Sequence, residues 1–296
     1  MNLKIVPCSI LFSAAVFGQT ARNPVPAATA DIEVKSFHSS ILGREETIQV
    51  WLPPGYHDQQ ESARVYPVIY LLDGDKMLGS RGPNHDADLH LGEALARLIG
   101  SGELKPIIAV AVGECKEGEG RRDEYLPYED SVIAPNSLEP RGKAFPEFLV
   151  AELLPYVSAR YRVTGDPQET AIGGLSYSAI AALYALINKP ATFQLGFLES
   201  PSLQAGNGQL LRDTQQLLFA GKRIAIGVGT MEAGKNPDPS INKIYPRIVE
   251  ALAGNLRSAY FPPEVRLTID DGAGHEASAW ARRIPDDLVF LFGTQR

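Results

Sequence analysis

From Asp31 onward, short apolar runs alternate with segments of helical periodicity, and this alternation limits the fold more than any other feature of the chain. Val65 to Leu72 is nearly unbroken in its apolar character. A strand with one wet face alternates in polarity, so an unbroken run reads as a strand covered on both faces, as in a parallel sheet. Similar runs follow at Ile107 to Val112, Thr170 to Ile172, Phe193 to Leu198, Arg223 to Val228 and Val265 to Ile269. Between them the spacing of apolar residues predicts helices over Leu91 to Ile99, Phe145 to Tyr161, Ser178 to Ile187, Ile241 to Tyr260 and Ala277 to Phe292. Parallel strands need crossovers of this kind. The chain therefore reads as an α/β fold with a mostly parallel central sheet and helices on both faces. Ahead of it, Ile32 to Ser39 and Glu46 to Leu52 alternate in polarity around Leu42-Gly43-Arg44 and predict an N-terminal antiparallel hairpin.

The 296 residues are 44% hydrophobic, enough for a full core, and residues 31–296 are expected to form a single domain. A formal net charge of −7 argues against a general nucleic-acid binder, which needs clustered Lys and Arg. Residues 1–18 read as a signal peptide. Lys4 supplies a basic start, Ile5 to Phe17 is mostly apolar, and Val16 and Gly18 stand at the −3 and −1 positions of a cleavage after Gly18. The alternative is a buried N-terminal strand or helix. Residues 19–30, with two prolines and several alanines, read as a flexible leader, and the mature protein is expected to be secreted or periplasmic. No later apolar run approaches the roughly 18 residues of a membrane span. The two cysteines are Cys8 and Cys115. Loss of the first leaves no internal disulfide and no cysteine metal site.

In a parallel sheet, chemistry is sought just past the carboxyl ends of the strands. After the strand near Ile172 comes Gly173-Gly174-Leu175-Ser176-Tyr177-Ser178, then a helix. A serine on a tight strand-to-helix turn has the form of a nucleophile elbow, G-x-S-x-G. Gly174 fits the need for a small residue two positions before the serine, and Ser178 replaces the usual glycine two positions after it. The helix N-terminus would favour an oxyanion developing beside Ser176. A plain glycine-rich turn with a capping serine is the competing reading. Of the five histidines, only His275 follows Ser176. It lies in the glycine-rich stretch Asp270 to Glu276, where a general base would reach the serine. The third member must orient the imidazole. Glu232, just after the strand Arg223 to Val228, ranks first by placement, ahead of Asp238, Asp270 and Asp271. The backbone N–H of Tyr177 supplies one oxyanion donor. The turn Asp73-Gly74-Asp75, where Gly74 lets the chain bend sharply, points to the N–H of Asp75 as the other.

Together these stretches resemble an esterase group within the α/β-hydrolase superfamily. The group includes S-formylglutathione hydrolase, feruloyl and acetylxylan esterases of carbohydrate esterase family one, siderophore trilactone esterases and the antigen 85 mycolyltransferases. The likeness runs from Ile32 to Phe292. It rests on Tyr70 to Asp75, Arg121 to Tyr128, Gly174 to Tyr184, Ser200-Pro201-Ser202-Leu203, Gly229 to Glu232, and Gly274-His275 with Trp280. The resemblance implies the α/β-hydrolase fold and assigns Ser176 as nucleophile, His275 as base and Glu232 as acid, with Asp75 and Tyr177 lending the oxyanion N–H groups. Ser178 departs from the group's glycine, and Glu232 stands where many members have aspartate.

The expected function is a serine esterase that forms an acyl-enzyme on a small-molecule or polysaccharide ester. An acylated or feruloylated polysaccharide and a siderophore lactone are the candidates, and no cofactor or metal is required. The alternatives are an acyltransferase on the same triad and a non-catalytic binding protein on the same scaffold. His85 and His90 with Asp86 and Asp88 read as the charged, capping start of a helix rather than a metal site. Arg121 and Arg122 read as a solvated loop paired by Asp123 and Glu124, and Trp280 and Phe261 as packing residues.

Overall fold

The computed structural model describes residues 31–74, 77–78, 89–114, 120–131, 140–216, 219–235 and 240–294. The signal segment, the leader, both cysteines, Asp75, His85, Asp86, Asp88 and Asp238 lie outside the described residues.

Eight strands form one sheet in the order β1-β2-β4-β3-β5-β6-β7-β8. The strands are β1 (Asp31–Ser39), β2 (Arg44–Leu52), β3 (Val68–Leu71), β4 (Ile108–Val112), β5 (Thr170–Leu175), β6 (Leu195–Glu199), β7 (Arg223–Met231) and β8 (Glu264–Gly274). β1 and β2 form the antiparallel hairpin, β2 pairs antiparallel with β4, and every remaining pairing is parallel. The apolar run at Val65 yields a shorter strand than its pattern predicts. Val65 is 57% exposed, and regular pairing begins only after Pro67, which has no N–H to give.

The helices are α1 (Leu91–Ser101), α2 (Gly120–Tyr125), α3 (Phe145–Phe148), α4 (Leu154–Ser158), α5 (Tyr177–Asn188), α6 (Gln209–Asp213), α7 (Ile244–Arg257) and α8 (Ala277–Phe292). The single helix predicted over Phe145 to Tyr161 is α3 and α4 joined by a π-helical turn at Leu149–Leu153. Pro155 lacks the N–H that a regular helix would use there, so the ladder widens just before it.

Adjacent strand residues face opposite cores. Val68 and Tyr70 belong to one apolar cluster with α3, α4, α5 and α7, while Ile69 and Leu71 belong to a second with α1 and α8. After β3 the chain goes to β4 on one side and then to β5 on the other. That reversal opens a crevice at the carboxyl ends of β3 and β5, where open α/β sheets bind ligands.

Candidate active site

Both loops that flank the crevice are built around backbone strain and close approach. Ser176 sits between β5 and α5 at φ 59° and ψ −116°, a conformation that non-glycine residues rarely adopt. Its N–H donates to the Glu199 carbonyl at 2.9 Å, so the strained residue hangs from β6. A Cβ at Gly174 would stand 2.5 Å from the backbone carbon of Ser178, which explains why the turn needs glycine at that position. Ser178 is fully buried and closes the elbow from below. Its Oγ accepts from the Leu175 N–H at 2.7 Å and donates to the Leu175 carbonyl at 2.8 Å. The serine that departs from the family glycine thus braces the turn.

The loop after β3 corrects one expectation. Asp73 carries the positive φ of 60°, and Gly74 does not. Glycine is needed at 74 because a Cβ there would lie 2.5 Å from the Ala111 backbone. The fold places this loop beside the elbow, since the Leu72 N–H donates to the Gly173 carbonyl at 2.9 Å. Arg121 belongs to α2 rather than to a solvated loop. It donates Nε and Nη2 to the two oxygens of buried Asp73 at 2.7 and 2.5 Å, and it pairs with Glu114 at 3.3 Å. Its guanidinium also lies over the rings of Tyr125 and Tyr177, 5.7 and 5.8 Å from their centroids. Glu124 pairs with Arg44 of β2.

Glu232 and His275 meet although 43 positions separate them. His275 Nδ1 lies 2.5 Å from Glu232 Oε2. The Glu232 side chain is fully buried, and its other oxygen accepts from the Gly229 N–H at 2.6 Å and the Ser200 hydroxyl at 2.7 Å. The competing acids are placed elsewhere. Asp270 Oδ2 accepts from Arg282 and Arg283, and Asp271 from Thr230. Both belong to β8 itself, not to a separate loop.

Sequence reasoning missed three partners of these groups. Ser202 places its Oγ 3.2 Å from Ser176 Oγ. Tyr245 of α7 packs its ring 6.0 Å from that of His275. Burial raises the Tyr245 phenol above its ordinary range, against hydrogen bonds with Gln204 and Ser202 that lower it. Ser200, at φ 45°, accepts from Trp280 Nε1 at 2.9 Å, so Trp280 belongs to the site and is not only packing. Phe261 is 51% exposed and packs edge-on against Tyr260, with centroids 4.7 Å apart. The sequence signals for this corner were the Ser200-Pro201-Ser202 stretch and Trp280, which carry the family resemblance without a stated role.

A buried ion network lies under the elbow. Arg283 of α8 donates Nη2 to Glu199 Oε2 at 2.5 Å and Nε to the same oxygen at 3.0 Å. Asp287 shares the network, and burial pushes the carboxyls of both Glu199 and Asp287 up. A Cβ at Gly227 would stand 2.2 Å from Glu199 Oε1, so that glycine makes room for the carboxylate.

Among the described residues no group of three or more His, Cys, Asp or Glu could hold a metal, and no helix is long and apolar enough to cross a membrane. His90 stands at the N-terminal cap of α1 but makes no side-chain cap hydrogen bond; it lies 3.9 Å from Glu93.

Comparison with known proteins converges on one family. The model of the family described as "Putative esterase" matches residues 39–291. The chain is 20% identical over 251 residues to the protein YbbA of Bacillus subtilis, covering 83% of this chain and 92% of that one. It is 29% identical over 178 residues to the esterase Rv1288 of Mycobacterium tuberculosis, covering 60% of this chain and about a third, 32%, of that one. Among solved structures, the enterobactin esterase FES from Shigella flexneri, in the presence of enterobactin, superposes with a TM-score of 0.69 at 19% identity. That match covers 88% of this chain and 58% of the FES chain, and it shows the α/β-hydrolase fold.

Proposed function

The chain belongs to this esterase family and is a carboxylic ester hydrolase, and we propose that it works through an acyl-enzyme on Ser176, with His275 as base and Glu232 as acid. The observation that carries the triad is the short contact of His275 with Glu232, whose side chain has no exposed surface. A carboxylate on Nδ1 fixes the proton there, presents Nε2 as the basic nitrogen and stabilises the imidazolium that forms.

His275 removes the Ser176 proton as the hydroxyl attacks the ester carbonyl. The tetrahedral oxyanion is held by the N–H of Tyr177, first residue of α5, together with the N–H of Asp75. His275 then gives its proton to the leaving alcohol, and water activated by the same base releases the acid. Arg121 steadies the start of the loop after β3 by clamping Asp73, two positions before Asp75 in the chain. The substrate is a small ester or the ester of an acylated polysaccharide. Siderophore esters are the first to try, a choice supported by the likeness to an enterobactin esterase. The chain is taken to act outside the cytoplasm after removal of residues 1–18.

Hydrolysis of p-nitrophenyl acetate by wild type and Ser176→Ala tests the reading. The variant should lose at least about 10³-fold in kcat with its fold intact. Undiminished hydrolysis would end the proposal.

A further inference from the structure

We infer that Ser200 and Trp280 are positioning residues that fix the charge and direction of Glu232, an inference that rests on the triad proposed above. The direction of the hydrogen bonds follows from chemistry alone. An indole N–H can only donate. Trp280 Nε1 lies 2.9 Å from Ser200 Oγ, so the serine oxygen must accept there. Its single hydrogen is then committed elsewhere, and the atom in reach is Glu232 Oε1 at 2.7 Å. Ser200 is fully buried, so no solvent competes for that hydrogen.

Glu232 Oε1 thus receives two donors, Ser200 O–H and Gly229 N–H, while Oε2 faces His275. Donors on one oxygen hold the carboxylate in direction and leave the second oxygen for the imidazole. Two further observations show that the arrangement is held rather than incidental. Ser200 adopts φ 45° and is pinned by its N–H to the Gly227 carbonyl at 2.8 Å. The Trp280 ring meets the His275 ring edge-on, with centroids 5.0 Å apart at 81°. One side chain therefore orients the base by contact and the acid through Ser200. Among the described residues, the titratable groups facing Glu232 are His275 just after β8, Arg283 from α8 and Tyr245 from α7.

The relay makes a specific demand on kinetics. Without the Ser200 donor, negative charge concentrates on Glu232 and holds the His275 proton more tightly. His275 then becomes a competent base only at higher pH. The test is the rate of Ser176 labelling by a fluorophosphonate from pH 5 to 9 in wild type, Ser200→Ala, Trp280→Phe and the double variant. Trp280→Phe keeps an aromatic ring at that position and removes the N–H together with part of the indole volume. Labelling at pH 7 should slow about 3-fold in Ser200→Ala and less in Trp280→Phe, with the acid limb moved upward by about half a pH unit in Ser200→Ala. The double variant should match Ser200→Ala, because Trp280 acts through that hydroxyl. An unmoved acid limb, or additive losses in the double variant, would overturn the relay. If Ser200→Ala fails to fold, the limb in Trp280→Phe decides. Absence of labelling in the folded wild type would instead refute the triad.

Discussion

Replacing Ser178 by alanine tests whether the departure from glycine at the elbow is structural. The hydroxyl makes two hydrogen bonds to one residue, accepting from the Leu175 N–H at 2.7 Å and donating to its carbonyl at 2.8 Å. Leu175 lies two residues beyond Gly173, the last β5 residue paired with β3, so the strand ladder on that side has ended. Alanine would leave both backbone groups short of a partner in a buried place. Each such group costs about 1–3 kcal/mol, and the small gain in helix propensity offsets only a few tenths, for a net loss of about 2–5 kcal/mol. Ser178→Gly would match the family pattern yet should lose the same bonds plus about 0.5 kcal/mol of propensity. Urea unfolding followed by tryptophan fluorescence gives the number. If both variants unfold within about 0.5 kcal/mol of wild type, the bracing role is refuted and Ser178 is merely tolerated.

Other expectations follow from the same geometry. Gly227→Ala sets a Cβ 2.2 Å from the Glu199 carboxylate and should cost at least about 3 kcal/mol in chemical denaturation. Gly254→Ala, at an exposed position of α7 with nothing within 4 Å, should instead stabilise by about 0.5–1 kcal/mol. Burial, reinforced by Glu124 and opposed by Arg44, pushes Glu46 from 4.5 up to about 7. The folded state then holds this proton more tightly than the unfolded chain. Its stabilising effect is complete below the ordinary carboxyl range and is lost as pH rises through about 7. Unfolding free energy should therefore fall between pH 5 and 8, and Glu46→Gln should flatten that fall by up to about 3 kcal/mol; an identical slope in the variant would contradict it. Arg121→Lys cannot reproduce the two-point clamp on Asp73, so kcat on a p-nitrophenyl ester should drop about 10-fold with little change in KM; an unchanged kcat would uncouple Arg121 from the oxyanion loop.

Much of the fold was legible because burial on two faces leaves a one-dimensional trace. The apolar runs marked β4 and β6 to within a residue or two, and the periodicity over Ala277 to Phe292 gave α8 with the bounds observed. Where the reading slipped, a backbone effect had overridden the pattern. Pro67 delayed β3, and Pro155 broke a continuous apolar helix with a π turn. Ser176, Glu232 and His275 could be placed because each lies at or just past a strand's carboxyl end. Ser200, Ser202 and Tyr245 could not, since their importance comes from contacts across 26 to 80 positions that no local spacing records. Arg121 was misread for the same reason. Its neighbours in sequence are acids, but its partner is Asp73, 48 residues away.

The most direct test of the central claim is the intact mass of the folded protein after incubation with a fluorophosphonate, followed by peptide mapping. A single adduct located on Ser176 is expected, because only a serine activated by His275 reacts at a useful rate. A folded protein that gains no adduct, or gains it on another residue, would contradict the account.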